Sequence, residues 1–218
     1  MGKRGQTAGG SGGPDSEWRA IALEMAGVFC AVALVAVFLF AISGVWPPLV
    51  AIESGSMEPQ IQTNDLVFVM DEDRFPAPGS HGDTGVVTAR AGERTGYTSF
   101  QRPGDVIVYR PDGLDRRTPV IHRAMFWVEE GENWYDRADP AHLGGAESCE
   151  QLANCPADHA GFVTKGDWND RYDQVGRPGR PISEPVRPSW VVGTAEVRVP
   201  WLGNVRLRLA PLLRGLVG

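Results

Sequence analysis

Hydrophobic and polar positions along the 218-residue chain follow two different patterns. From Met25 to Val50 no charged residue occurs, and such a run exceeds the ~20 apolar residues a helix needs to cross a ~30 Å hydrocarbon core. The pattern predicts one spanning helix over residues 21–48, behind a flexible tail at residues 1–20 that contains "TAGGSGGPDS". Further on, apolar residues come in short bursts: "DLVFVMD", "DVIVYRP", "TPVIHRAMFWVEE", "GFVTKGD" and "WVVGTAEVRVP". Their β-branched and aromatic residues sit between Gly, Pro and Asp, which predicts the short strands of an all-β domain over residues 49–203. Two polar stretches, near residues 71–102 and 129–159, interrupt the bursts and read as surface insertions. Strict alternation around "VIHRAMF" puts Val120, His122, Ala124 and Phe126 on one inward face. The closing residues 204–218 carry Arg206, Arg208 and Arg214 within short apolar stretches, too interrupted to span, and are expected to form a strand or a membrane-surface segment.

Charge then orients the span. Lys3, Arg4 and Arg19 precede it, whereas the next basic residue after it is Arg74, beyond six acidic ones. This bias predicts a cytoplasmic amino terminus and an extracytoplasmic β-domain from about Pro47 onward, with Trp18 and Trp46 as interfacial anchors. A cleaved secretory signal is the competing reading, but its apolar core would hold only about 7 to 15 residues. The formal net charge of -6 disfavours nucleic acid as a partner. Cys149 and Cys155 are spaced so that a disulfide could close a small loop in an oxidising exterior. A metal site is a weaker reading, since the nearby His142 and His159 lack the paired spacing of a zinc motif. Cys30 lies inside the span as a small apolar residue.

The chemistry worth weighing begins at "ESGSMEPQ", directly after the span. A serine becomes a nucleophile when a base takes its proton and donors receive the oxyanion, which favours a serine on a constrained turn. Ser54 and Ser56 each offer a hydroxyl there; Gly55 allows close approach or a positive φ, and Pro59 fixes the chain just after. Ser-Gly-Ser alone is more often an ordinary polar loop. His122 is a candidate base on the inward strand face, although a half-buried histidine taken alone is more often a satisfied core residue. His81, His142 and His159 fall in the insertions, where geometry is held less well. Lys3 and Lys165 are the only lysines, so Lys165 is the only lysine available outside as a base. "TKGDWNDRYD" supplies Asp167, Asp170 and Asp173 in a row of turns.

Taken in order, "SGSMEP", "DLVFV", "PGDVIVY", "VIHR" and "KGDWNDRYD" behind a single anchor resemble a type I signal peptidase, of the branch found in archaea and the endoplasmic reticulum. The likeness covers about Leu49 to Gly203. It implies an all-β catalytic domain of signal-peptidase type, built of antiparallel sheets, with one N-terminal transmembrane helix. It also implies Ser56 as nucleophile, and His122 as base at the position where bacterial members carry lysine. Asp173 matches the acid that orients the base by spacing, with Asp167 as the alternative or a supporting group and Asp170 as a solvated turn residue. Ser54 and the Ser56 N–H match the oxyanion donors, and Trp168 stands where the family more often shows asparagine. The implied activity is membrane-bound removal of signal peptides from exported preproteins after small residues, at the outer surface of the cell membrane, with no cofactor and no metal. Preproteins and the lipid bilayer are the implied partners, and the secretion translocon is a candidate one. Leu49, Val50, Ile52, Ile61 and Phe68 are candidates to line shallow pockets for small side chains. Two rivals stand beside this reading: an anchored, non-catalytic binding or assembly module, and a serine/lysine self-cleaving enzyme using Lys165.

Overall fold

Helix α1 (Pro14–Ser43) opens the structure, a computed structural model that describes residues 14–175 and 180–203. It starts inside the stretch expected to be a flexible tail; proline is tolerated in the first turn, where its missing N–H has no helical partner. It stops short of residue 48, because Gly44 takes φ 77° and Pro47 and Pro48 follow. Large apolar side chains including Phe29, Val32, Leu34 and Phe38 are exposed along it. A helix apolar all round suits lipid, and Trp18–Ser43 is long and apolar enough to cross a membrane. Residues 1–13 of the expected tail, and the expected strand or surface segment at 204–218, lie outside the described residues.

The rest is a separate unit of antiparallel β-structure. Its strands are β1 (Leu49–Ala51), β2 (Leu66–Met70), β3 (Thr98–Ser99), β4 (Arg102–Pro103), β5 (Val106–Tyr109), β6 (Val120–Val128), β7 (Gly161–Lys165) and β8 (Val191–Val199). Six form one sheet in the order β1-β2-β8-β5-β6-β7, while β3 and β4 form a short hairpin. The bursts of β-branched residues become strands because both faces of the sheet are covered. Val106 and Val108 of β5 pack on one side with Ile52, Met57, Val67 and Val69. Ile107 and Tyr109 pack on the other with Ala124, Phe162 and Val186. All four residues of β5 are therefore buried, as expected for a central strand closed on both faces.

The alternation expected along β6 holds through Ala124 and then breaks. Register shifts between Ala124 and Phe126, so that Ala124 pairs with Thr164 and Phe126 with Val163. The extra residue, Met125, moves Phe126 off the face of His122 into a second cluster with Val163, Trp134 and Tyr172.

Neither insertion is mere surface. The first contains fully buried Val86 and Val87 and helix α2 (Ala89–Thr95), which Thr88 caps through its side chain and Gly96 ends at φ 77°. The second buries Trp134, Leu143 and Leu152 around a Cys149–Cys155 disulfide. Reducing that bridge, or replacing both cysteines by serine, is expected to lower the unfolding free energy of the β-domain by about 2 kcal/mol, the loop-entropy value for so short a ring. Denaturant titration of the full chain in detergent, with and without reductant, measures it.

Candidate active site

The turn carrying Ser56 is fixed from below by its apolar neighbours. Met57 and Ile61 are fully buried in the core, and the backbone curls so that Glu58 N donates to Gly55 O and Ile61 N to Met57 O. Gly55 lies outside the left-handed region, and a Cβ there would meet only the Glu58 side chain, 2.9 Å from its Oε1, which can turn aside. A second loop clasps the same turn. Trp168 N donates to Ser56 O at 2.9 Å, and Asp167 N to the sulfur of Met57 at 3.4 Å. A Cβ on Gly166 would sit 2.6 Å from Ser56 O, so glycine is what allows the two backbones this close.

His122, on β6, bridges that turn to a buried carboxylate. Its Nε2 is 2.9 Å from Ser56 Oγ and its Nδ1 is 2.7 Å from Asp173 Oδ2. His122 is 4% and Asp173 1% exposed. Tyr109 donates to the same carboxylate oxygen at 2.8 Å, and Thr164 does so at 2.7 Å. The Asp173 backbone is held as well, its N–H on Thr164 O and its carbonyl accepting from Ile182 N.

Of the two aspartates read as candidates to orient His122, the structure brings Asp173 to it and gives Asp167 a different partner. Arg123 follows His122 on β6, so its side chain leaves the opposite face, where Nε and Nη2 donate to the two Asp167 oxygens at 2.8 and 2.7 Å. Its Nη1 donates to Gly104 O at 2.6 Å and Ser99 O at 2.9 Å. Asp170 is exposed, and its carbonyl lies 2.9 Å from His142 Nδ1. Ser54 Oγ lies 3.3 Å from Ser56 Oγ.

The remaining candidate bases have other partners. Lys165 Nζ donates to Gly166 O at 3.1 Å and Asn169 O at 2.9 Å. Burial pushes its ammonium below the usual lysine range, with the Asp167 charge opposing. His81 stacks on Trp127, and His159 Nε2 is 3.2 Å from Glu184.

A cleft of about 750 Å³ opens over the serine, lined among others by Val50, Ile52, Ser54, Ser56, Ile121 and His122. Val50 and Ile52 are thus where pocket residues were expected. Ile61 is sealed in the core beside Met57, and Leu49 and Phe68 pair with each other across β1 and β2 without lining the cleft. Reading the sequence missed three residues here: Arg123, Tyr109 and Thr164. The signal available was a basic residue and two hydroxyls inside strands otherwise made of core residues.

No family model matches the chain. It is similar to the signal peptidase complex catalytic subunit SEC11 of Eremothecium gossypii, 28% identical over 160 residues that make up 73% of this chain and 64% of that protein. It is also similar to the signal peptidase complex catalytic subunit sec11 of Schizosaccharomyces pombe, 27% identical over 169 residues, 77% of this chain and 70% of that protein. The matched stretch thus spans about two thirds of the length of these curated relatives. These two similarities support the resemblance to type I signal peptidases of the archaeal and endoplasmic-reticulum branch that the sequence motifs carry.

Proposed function

We propose that the chain is a membrane-bound serine endopeptidase that removes N-terminal signal peptides from exported preproteins, cleaving after small residues at the outer membrane surface. The observation that carries this reading is the unbroken line from Ser56 Oγ through the His122 imidazole to Asp173, at 2.9 and 2.7 Å. His122 accepts the Ser56 proton as the hydroxyl attacks the scissile carbonyl, then returns it to the departing amine. A water repeats the cycle and frees the acyl group. Asp173 holds the tautomer in which Nε2 is the acceptor and steadies the imidazolium that forms. The Ser56 N–H and the Ser54 hydroxyl receive the oxyanion. Engagement of Lys165 on two carbonyls favours the histidine as base over the lysine.

Substrate and location follow from the same residues. Small apolar side chains on the preprotein fit a cleft whose walls near the serine are Val50, Ile52 and Ile121. Selection is then by exclusion of bulk. The charge bias across the span supports a cytoplasmic amino terminus and a β-domain outside the cell membrane. Ser56 follows Ser43, the end of the helix, by 13 residues, which tethers the serine to the membrane that a substrate's own apolar segment occupies. The secretion translocon is a candidate partner on this reading.

In a processing assay with a preprotein bearing alanine at its cleavage site, wild type is expected to cleave. Ser56→Ala and His122→Ala are expected to lose about 10⁴-fold or more, and equal processing by wild type and Ser56→Ala would remove the nucleophile and leave a non-catalytic module. Ser54→Ala should retain activity reduced about 10²- to 10³-fold, the usual loss for one oxyanion donor. Lys165→Met should still cleave, whereas a lysine base requires that it be inactive. Gly166→Ala forces a methyl against Ser56 O and is expected to lower kcat about 10²-fold through displacement of the serine, read from steady-state kinetics, together with a lower unfolding midpoint from the same crowding.

A further inference from the structure

Tyr109, His122 and Thr164 come from β5, β6 and β7, which are adjacent in the sheet, and all three converge on Oδ2 of Asp173. The other oxygen, Oδ1, accepts from no described side chain. We propose that Tyr109 and Thr164 are positioning residues of the peptidase: their hydroxyls hold the Asp173 carboxylate in the one orientation that faces His122 Nδ1, and they share its negative charge, which sets how strongly it pulls on the imidazole's proton. The inference rests on the serine-peptidase reading given above.

Both hydroxyls are directed at the carboxylate. Thr164 Oγ1 lies 3.4 Å from Gln174 Nε2, which can only donate, and 3.4 Å from the Tyr109 hydroxyl, so its 2.7 Å contact with Asp173 Oδ2 is the short one that takes the threonine hydrogen. Thr164 is itself located by its backbone N–H on Gln174 Oε1 at 2.9 Å. Tyr109 is fully buried; burial first, and the Asp173 charge next, push its phenol well above the usual tyrosine range, so it stays a donor at every working pH. Three groups from three strands meet at Oδ2, so removing one loosens the orientation of the carboxylate and concentrates its charge on the two that remain.

The sign of the charge effect follows. Hydrogen bonds to a carboxylate stabilise it and weaken its pull on a neighbouring cation. Losing one strengthens the attraction between Asp173 and the imidazolium, so the acidic limb of the rate profile moves up. Other charged groups facing the pair are Lys165, whose ammonium senses Asp173, and Arg117, which senses Tyr109. The Arg123–Asp167 pair lies on the opposite face of β6. None is altered by removing a hydroxyl. A purely structural role for Tyr109 makes a different forecast, because its ring packs among Ile107, Ala124, Phe162 and Val186, which a phenylalanine would satisfy equally.

The test is the pH dependence of kcat/KM for cleavage of a preprotein with alanine at the cleavage site, using the full chain in detergent. Wild type is compared with Tyr109→Phe, Thr164→Val and Thr164→Ser. Tyr109→Phe and Thr164→Val are each expected to lose about tenfold in kcat with little change in KM, as for one hydrogen bond to a charged group. Their acidic limbs should move up by about half a pH unit or more. Thr164→Ser, which keeps the hydroxyl, should return both quantities close to wild type. Acidic limbs that coincide with wild type in Tyr109→Phe and Thr164→Val overturn the inference, whatever the loss in rate. Should Tyr109→Phe not fold, the Thr164→Val and Thr164→Ser pair decides alone. Full cleavage by Ser56→Ala in the same assay would instead overturn the peptidase reading, which keeps the two failures distinct.

Discussion

Burying the charge of Asp173 is the constraint on which the rest of this β-domain depends. A carboxylate that is 1% exposed is tolerable only with donors aimed at it, because desolvating an unpaired charge costs several kcal/mol. Those donors come from three neighbouring strands, and the pairing of Ile107 with His122 and of Ala124 with Thr164 puts Tyr109, His122 and Thr164 on one face of the sheet. A one-residue slip of β6 would turn His122 to the other face and bring Arg123 in its place. Sheet order and register are therefore part of the site, as much as the serine is.

The opposite face holds the turn of Ser56 by an independent set of contacts. Arg123 spends its guanidinium on Asp167 and on the carbonyls of Gly104 and Ser99, which ties the β3–β4 hairpin to the loop after β7. That loop in turn grips Ser56 through Trp168 N and Gly166. A buried ion pair is weak evidence for stability, since desolvation offsets the attraction. Here its geometry serves placement: two consecutive residues of one strand, His122 and Arg123, face the proton chain and the scaffold respectively. The serine is thus located relative to the imidazole by a rigid strand, which holds distances better than a loop could.

The apolar run of the anchor and the strand bursts were legible in the sequence because they depend on local composition and period. So were Ser56 and His122 as candidates, through the order of short motifs. Spacing favoured Asp173 over Asp167, the residue that the structure brings to His122, but did not decide between them, because the two lie in one run of turns and the register of β6 against β7 sets which face each one meets. Tyr109 and Thr164 were hidden for a related reason: inside "VIVY" and "GFVTK" a hydroxyl looks like an ordinary member of a buried strand until its partner is known. Phe126 was misplaced because a bulge at Met125 leaves no local mark. The insertions looked like surface because their core residues, Val86 and Val87 in one and Trp134, Leu143 and Leu152 in the other, are sparse among polar neighbours and bury against distant strands.

The second insertion also bears on the site, which explains why so polar a stretch is held by a disulfide. Tyr172 immediately precedes Asp173, and its ring is enclosed by Trp134 at 6.4 Å, Phe126 at 5.6 Å and His142 at 5.4 Å. Its backbone N–H donates to His142 O. The insertion thereby fixes the residue on one side of the carboxylate, while Thr164 O and Ile182 N fix Asp173's own backbone. A misplacement of about 1 Å at a reacting group can cost 10²-fold in rate, so an acid carried on a loop needs this support. The loop that carries Asp173 is held through its backbone and through the ring that precedes it, so the disulfide-closed insertion belongs to the site's framework although none of its side chains reaches Asp173.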